Sequence, residues 1–238
     1  MILKIFLILL GYPWILFSFC IIDYIKNGTI DSYSVFEYEE TVTVLVKRAP
    51  QKEVLVVEEL SIPIHLTKKE PKKSLSWTEL MRNKKDFFVW NLYFIDVSKK
   101  KMIKSYSFLK NDFFDHEEPS LVSIILFQPL FKVNEEDRKK IGIKSKEGPD
   151  LRKLWTPQIR LNLTAHPILN YDVYKTYWTK DDTVLPEAEL EIYLLQNEYH
   201  FPFPCWIEIK TAHYKQKIKC TEIGYDLPIS RSIPFLNH

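Results

Sequence analysis

An uncharged run of 18 residues, Ile5–Ile22, lies close to the amino terminus. A helix needs about 20 apolar residues to cross the hydrocarbon of a bilayer, so the run just reaches the length of a membrane span. Asp23 and Lys26 end the run, and a polar segment, residues 27–29, follows it. We therefore predict that residues 1–26 form a signal-anchor or a signal peptide, and that the chain meets the membrane through this run.

Three fates of the segment fit the sequence. A retained signal-anchor fits its uncharged length. A cleaved signal peptide requires small residues before the cut, and Ser18 and Cys20 offer a weak site of that kind. Lipidation of Cys20 is the third, although Phe19 before it is bulky where bacterial lipoproteins carry a small residue. All three predict that residues 30–238 form a single β-rich domain outside the cytoplasm, on the periplasmic side; a buried core helix would be the alternative without a membrane.

Charge and glycine content exclude two classes of function. The chain of 238 residues has 33 basic and 31 acidic residues, a net charge of +2, which creates no field to attract nucleic acid. Only 5 glycines are present, too few for a glycine-rich loop around phosphates. We therefore expect neither nucleic acid nor a nucleotide cofactor as a partner.

The rest of the chain is dominated by short segments rich in β-branched and aromatic residues. Alternating apolar and polar residues in such segments are typical of strands. The predicted fold class is mainly β (β-rich α+β), with antiparallel sheets of hairpins and one or two short helices after an N-terminal hydrophobic helix. Two hairpins, Ser34–Lys47 with Glu53–Leu60 and Phe87–Val97 with Met102–Leu109, are followed by strands at Ile159–Ala165, Tyr171–Trp178, Ala188–Leu195, Trp206–Lys210 and Gln216–Ile223.

Three further segments carry their own signals. Ser76–Glu79 has the spacing of a capping box, which predicts a helix start. Asn134 and the acidic residues after it precede Arg138–Lys140, a charge order that complements a helix dipole. The apolar run Leu121–Phe131 is too short for a membrane span, and we predict that it is the central strand, covered on both faces.

The C-terminal region contains two cysteines in matching segments. A hairpin that turns between Ala212 and His213 sets Cys205 opposite Cys220. Cross-strand neighbours have Cβ atoms about 4.5 to 5.5 Å apart, near disulfide distance when the pair is of the non-hydrogen-bonded kind. We predict a Cys205–Cys220 disulfide in an oxidising compartment, worth roughly 3 kcal/mol; two buried free thiols are the alternative. The same register pairs Ile207 with Ile218, Glu208 with Lys217 and Trp206 with Lys219.

No motif in the sequence points to catalysis, a metal or a cofactor. The six histidines lack the close spacings of a zinc site. An acidic cluster at residues 112–118 lacks the alternate spacing and turn glycine of a calcium loop, so a solvated turn is the better interpretation. Asp181 and Asp182 are adjacent, as turn aspartates that bond their own backbone often are. We therefore predict no catalytic, cofactor-binding or metal-ligating residues.

Three C-terminal segments, 177–183, 189–193 and 201–209, resemble a pattern found in uncharacterised envelope-associated proteins of chlamydia-like bacteria. This sequence has Cys205 where that pattern has a tyrosine before the tryptophan, a departure that fits a local disulfide. The resemblance implies an extracytoplasmic setting, and it implies no activity.

The expected function is that of a membrane-anchored, extracytoplasmic binding or structural protein of the cell envelope. Its partner would be another envelope protein or an apolar ligand. Two alternatives stay open: a carrier of lipid or another hydrophobic ligand, built on a curved sheet that closes over helices, and a hydrolase whose scattered residues leave no motif.

Overall fold

The structure is a computed structural model that describes residues 20–25, 32–51, 54–66, 86–115, 121–144, 147–161, 164–165, 169–178, 187–196, 203–225 and 234. Its helices are α1 (Ile21–Ile25) and α2 (Leu121–Phe127), with 3₁₀ turns at Ile64–Leu66 and Glu135–Asp137. The strands are β1 (Ser32–Tyr38), β2 (Thr41–Gln51), β3 (Val54–Pro63), β4 (Val89–Asp96), β5 (Lys101–Ser107), β6 (Asp112–Phe114), β7 (Phe131–Lys132), β8 (Lys140–Ile141), β9 (Lys153–Leu154), β10 (Arg160–Leu161), β11 (Thr164–Ala165), β12 (Tyr171–Tyr177), β13 (Glu189–Leu195), β14 (Trp206–Lys210) and β15 (Lys215–Tyr225).

One large sheet organises the described part of the chain. Its 13 strands follow the order β6-β5-β4-β3-β2-β1-β15-β14-β13-β12-β7, with β10 and β11 attached beside β15. Neighbours pair antiparallel, except that β10 runs parallel to β15. Strands β8 and β9 form a separate two-stranded sheet. The prediction of a mainly β, antiparallel fold with two short helices is confirmed.

The predicted N-terminal hydrophobic helix is not shown. Residues 1–19 of that segment lie outside the described residues, and so does the capping box at Ser76–Glu79. Among the residues that are described, no helix has the length and apolar character needed to cross a bilayer.

The predicted first strand, Ser34–Lys47, is two strands. Strands β1 and β2 are joined by a turn at Glu39 and Glu40, where Glu39 has a φ of 50°. Glycine and asparagine most readily adopt this left-handed conformation, and glutamate is not a usual turn signal. The turn at these two residues therefore could not be predicted from the sequence. The predicted hairpin of Phe87–Val97 and Met102–Leu109 is confirmed by the pairing of β4 with β5.

The prediction that Leu121–Phe131 is the central strand is wrong. Its first seven residues form α2, and only Phe131 belongs to a strand, the short edge strand β7. Val122, Ile125 and Leu126 are buried in the core. Their spacing is that of one helix face, but a short continuous apolar run does not by itself distinguish a buried helix from a buried strand. The predicted helix after Asn134 is a single 3₁₀ turn.

Both faces of the sheet are covered with apolar side chains. Leu45, Leu55 and Val57 of β2 and β3 belong to the main core, which also contains Ile21 and Ile22 of α1 and the buried residues of α2. We call this side the helix face. Successive side chains of a strand point to opposite faces of the sheet. The residues that point away from the helix face form a second apolar cluster, and we call that side the outer face. The members of the cluster are Tyr33, Val35, Val42, Val44, Val46, Leu60, Ile62, Phe87 and Trp90.

Helix α1 is built into this core. Ile21 and Ile22 are completely buried. The Asp23 carboxylate accepts a hydrogen bond from the Cys20 backbone N–H at 3.0 Å and forms an ion pair with Lys100 at 2.8 Å. The Cys20 thiol donates to the Phe127 carbonyl of α2 at 3.4 Å. The folded unit therefore includes residues that precede the predicted boundary at residue 30.

A close aromatic contact joins β1 to β15. Tyr33 pairs with Gly224, and a Cβ at Gly224 would lie 2.2 Å from a Tyr33 ring carbon. The ring therefore occupies the space that any other residue at position 224 would fill. Its hydroxyl donates to Glu222 Oε1 at 2.7 Å, which fixes the ring against the strand.

We predict that Gly224→Ala destabilises the protein by about 1 to 3 kcal/mol, because the added methyl group overpacks the contact with Tyr33. Urea unfolding followed by circular dichroism measures the change in the free energy of unfolding. Repeating the substitution in a Tyr33→Ala background provides the control, because removal of the ring abolishes the clash. An equal loss in both backgrounds would contradict the contact as the cause.

Candidate functional site

Two pairs of adjacent charged residues face each other across the hairpin of β2 and β3. Lys47 and Arg48 lie in β2, and Glu58 and Glu59 lie in β3. Lys47 pairs with Val57 in the strand register, so each basic residue lies diagonally across from one glutamate on the same side. Because side chains alternate along a strand, one basic and one acidic residue project from each face of the sheet. All four are buried.

The pair on the outer face forms a network with Trp90. Arg48 Nη2 forms an ion pair with Glu58 Oε2, and Trp90 Nε1 donates to Glu58 Oε1 at 2.7 Å. Glu58 is 0% exposed, so its charge is compensated within the protein. Removal of one partner from such a pair typically costs 3 to 5 kcal/mol, because a buried charge stays behind. The network therefore stabilises the pairing of β3 with β2 and with β4.

The pair on the helix face belongs to a wider set that we call the inner polar cluster: Ser32, Lys47, Glu59, Asn91 and Tyr93. The register places Ser32 opposite Lys47, Val57 opposite Tyr93, and Glu59 opposite Asn91, so the five lie in two adjacent rows across four strands. Tyr93 donates its hydroxyl proton to Glu59 Oε2 at 2.5 Å, and Asn91 Nδ2 lies 3.4 Å from the Tyr93 hydroxyl.

Burial raises the pKa of the Glu59 carboxyl, and the hydrogen bond from Tyr93 lowers it in part. A carboxyl of this kind, beside a phenol, is able to take up and release a proton. Perturbed carboxyls also occur in purely structural networks. Glu59 is 8% exposed and Lys47 is 1% exposed, so the cluster is enclosed. We therefore interpret it as a polar core that positions strands.

Sequence reasoning missed both groups. Lys47 stood at the end of a predicted strand, where a charged residue is expected to be solvated, and the glutamates lay inside a strand without an assigned partner. The signal that would have found them is the hairpin register. Once β2 is extended past Lys47, the two dipeptides fall diagonally opposite each other.

The predicted register of the cysteine hairpin is confirmed. Trp206 pairs with Lys219, Ile207 with Ile218, and Glu208 with Lys217. The charges, however, pair diagonally rather than directly across. Glu208 forms ion pairs with Lys215 at 2.7 Å and Lys210 at 3.4 Å, while Lys217 lies 5.6 Å from the centre of the Trp206 ring. Burial raises the pKa of Glu208, but these lysines outweigh that effect and the net shift is downward.

Cys205 and Cys220 are both fully buried and are free thiols in the structure. The Cys220 N–H donates to the Cys205 carbonyl at 3.2 Å, so this pair is of the hydrogen-bonded kind. Such pairs have Cα atoms about 5.5 Å apart, which remains within the range for disulfides. Burial raises the pKa of Cys220 to about 12 and also raises that of Cys205. The disulfide stays a prediction.

The acidic residues singled out in the sequence are not brought together. Asp112 lies in β6 and Asp115 follows it, whereas residues 116–118 and the pair Asp181-Asp182 lie outside the described residues. Over the described ranges, no three histidine, cysteine, aspartate or glutamate side chains are grouped so that they could hold a metal ion.

The fold and the cluster define a class: an antiparallel β protein with one extended sheet, two short helices and charged pairs buried on both faces. Residues 43–165, more than half of the chain, match the family model described as CT021 protein. The chain belongs to this family. The matched range begins within β2, ends with β11 and contains all four residues of the two buried charge pairs.

A solved structure, described as the hypothetical protein CT021 from Chlamydia trachomatis, is similar in fold. The TM-score is 0.62 at 18% sequence identity, over 92% of this chain and 99% of that chain. No curated protein matches the sequence of this chain. The resemblance to an uncharacterised chlamydial family is confirmed, although the family match lies before the C-terminal segments on which the resemblance was based.

We predict that Glu59 makes stability depend on pH. A carboxyl whose pKa is raised by folding stabilises the folded state fully below its unfolded pKa, near 4.5, and loses that contribution as pH rises through the folded value. The free energy of unfolding should therefore decline above that pH, and the decline should be smaller in Glu59→Gln. Urea unfolding across the pH range measures it. The exposed Glu136→Gln is the control and should retain the wild-type slope.

We predict that Cys205 and Cys220 are oxidised when the protein is made in an oxidising compartment. Denatured protein treated with an alkylating reagent should then gain mass only at Cys20 without reductant, and at all three cysteines after reduction. Labelling of all three without reductant would show that the pair consists of free thiols. Cys220→Ser serves as the control, because it leaves Cys205 alkylated under both conditions.

Proposed function

We propose that the protein is a non-catalytic binding or structural component of the cell envelope. In this proposal the leader is retained as a signal-anchor whose membrane-embedded part ends before Ile21, and the β domain lies outside the cytoplasm, on the periplasmic side. The observation that carries the proposal is the burial of Ile21 and Ile22, the last two residues of the uncharged run, in the core of the domain. The end of the predicted span is thus part of the fold.

The same geometry argues against the two other fates of the leader. Cleavage after Cys20 would create a charged amino terminus at Ile21, a fully buried residue at the start of α1. A positive charge there is unfavourable both because it is buried and because it meets the positive end of the helix dipole. Lipidation would attach acyl chains to the Cys20 thiol, which is occupied by its bond to Phe127. Retention leaves all these contacts intact.

The polar interior supports a binding or structural role over hydrolysis. The described buried acids are engaged with protein partners: Glu58 with Arg48 and Trp90, Glu59 with Tyr93, Glu208 with Lys215, and Glu222 with Tyr33. A hydrolase requires such groups to reach a substrate. A carrier of apolar ligands is the remaining alternative. It would require an apolar cavity, whereas the main core on the helix face already includes side chains from α1, α2 and the sheet.

Fractionation of the full chain, combined with N-terminal sequencing, tests the proposal. We expect the protein to stay in the membrane fraction after washing with alkaline carbonate and to retain its leader. Leu9→Arg should release a large share of it, because a central arginine opposes membrane insertion by about 2.5 to 3.5 kcal/mol. Ile103→Arg, at an exposed apolar position of β5, is the matched control and should stay in the membrane.

A soluble protein that begins at Ile21 or beyond would contradict retention. A membrane-bound protein whose domain is degraded only by protease added to the cytoplasmic side would contradict the proposed topology.

A further inference from the structure

Residues 139–144 and 147–155, which we call the basic hairpin, contain the two strands of the small second sheet, β8 and β9. Lys140 pairs with Leu154 and Ile141 with Lys153, and the Trp155 N–H donates to the Lys139 carbonyl at 2.8 Å. The hairpin is the only described part of the chain that forms a separate sheet. It lies within the range that matches the family model.

The base of the basic hairpin is fixed to the core. The Trp155 ring packs edge-on against Tyr193 at 5.1 Å and against Trp206 at 4.9 Å, measured between ring centres. The Asp150 carboxylate bonds Arg152 through two guanidinium nitrogens, at 2.9 and 2.8 Å, and forms a longer ion pair with Lys140 at 3.6 Å. Trp155 thus attaches the hairpin to the core, and Asp150 links the segment after the turn to Lys140 of β8.

Large aliphatic side chains are exposed on the hairpin beyond this base. Ile143 is 95% exposed, Leu151 is 78% exposed and Ile141 is 49% exposed. The first two have the highest exposure among the large apolar residues of the described chain. Single exposed apolar residues are ordinary, but three in one small element indicate an interaction site.

The same element concentrates positive charge. Residues 139–155 contain six lysines or arginines and two acids, an excess of four, whereas the entire chain has a net charge of +2. One of the two acids, Asp150, is already paired with Arg152 and Lys140. Lys144 and Lys153 are exposed on either side of the aliphatic residues.

We propose that the basic hairpin docks on an anionic phospholipid surface. Ile143 and Leu151 enter the boundary between headgroups and acyl chains, while the surrounding lysines contact lipid phosphates. Aliphatic residues ringed by lysine or arginine are the composition that binds such surfaces, because burial of apolar area and attraction to anionic lipid add together. Long lysine side chains reach the headgroups while the backbone lies deeper.

An acidic protein partner would also attract the charges, but the small number of exposed apolar side chains favours lipid. Stable protein interfaces bury about 800 Å² on each partner, whereas this site exposes three large aliphatic side chains on one two-stranded hairpin. Insertion into a bilayer requires only a few exposed apolar side chains surrounded by positive charge. The surface does not depend on the fate of residues 5–22.

A fluorescent probe at the tip tests the proposal in the full chain. Ile143→Cys is labelled with an environment-sensitive dye and reconstituted into phosphatidylcholine vesicles with or without phosphatidylglycerol, both containing nitroxide-labelled lipid. Cys205 and Cys220 are fully buried and should not react in the folded protein; the unsubstituted chain measures any labelling at Cys20. Leu109→Cys, at an exposed apolar turn position outside the hairpin, is the matched probe control.

We expect the nitroxide lipid to quench the probe at residue 143 in vesicles with phosphatidylglycerol, and the probe at residue 109 to stay unquenched. Adding Lys144→Glu and Lys153→Glu should reduce the ratio of lipid-bound to free probe at least about fivefold for each lysine, because each change removes a positive charge and adds a negative one. Lys101→Glu with Lys219→Glu, at exposed positions elsewhere, should leave it unchanged.

Three outcomes would overturn the proposal: no quenching at residue 143, equal quenching without phosphatidylglycerol, or a probe that responds to an added acidic peptide and not to lipid. Fractionation of the unlabelled chain reports separately on the leader, so failure of the anchor and failure of the hairpin are distinguishable.

Discussion

The pairing of β1 with β15 is the contact on which the large sheet depends. One side of β1 continues through β2 to β6, and the other side meets β15, which leads through β14 and β13 to β12. Loss of this single pairing would divide the sheet into two halves. The contact is specific: the register shifts between Val35 and Phe36, and Tyr33 lies over Gly224. A bulge and a glycine placed under an aromatic ring fix how the halves align.

Much of the sheet follows from sequence alternation. The bounds of β14 and the cross-strand pairs of its hairpin were predictable, because a turn at Thr211–Tyr214 sets Ile207 opposite Ile218. Prediction failed where local signals were ambiguous. Glu39 adopts a left-handed conformation although it is not a usual turn residue. The run from Leu121 is almost continuously apolar, so its pattern does not distinguish a helix from a strand.

The burial of the charged residues could not be predicted from local sequence patterns for a different reason. Arg48 and Glu58 are compatible with burial only because each compensates the other, which is a property of a pair and not of either residue. The basic hairpin was missed similarly, because only the structure shows how far Ile143 and Leu151 are exposed. In both cases the decisive quantity, burial, is set by tertiary structure.

The strand order has a consequence for synthesis on the ribosome. β1 is among the first elements to emerge and β15 is the last described strand, yet they are neighbours in the middle of the sheet. While the chain is being made, β1 has a partner on only one side, and its other edge exposes unpaired backbone groups of the kind that promote association between chains. Folding therefore ends with the insertion of a C-terminal strand beside an N-terminal one, a closure of high contact order that is expected to be slow.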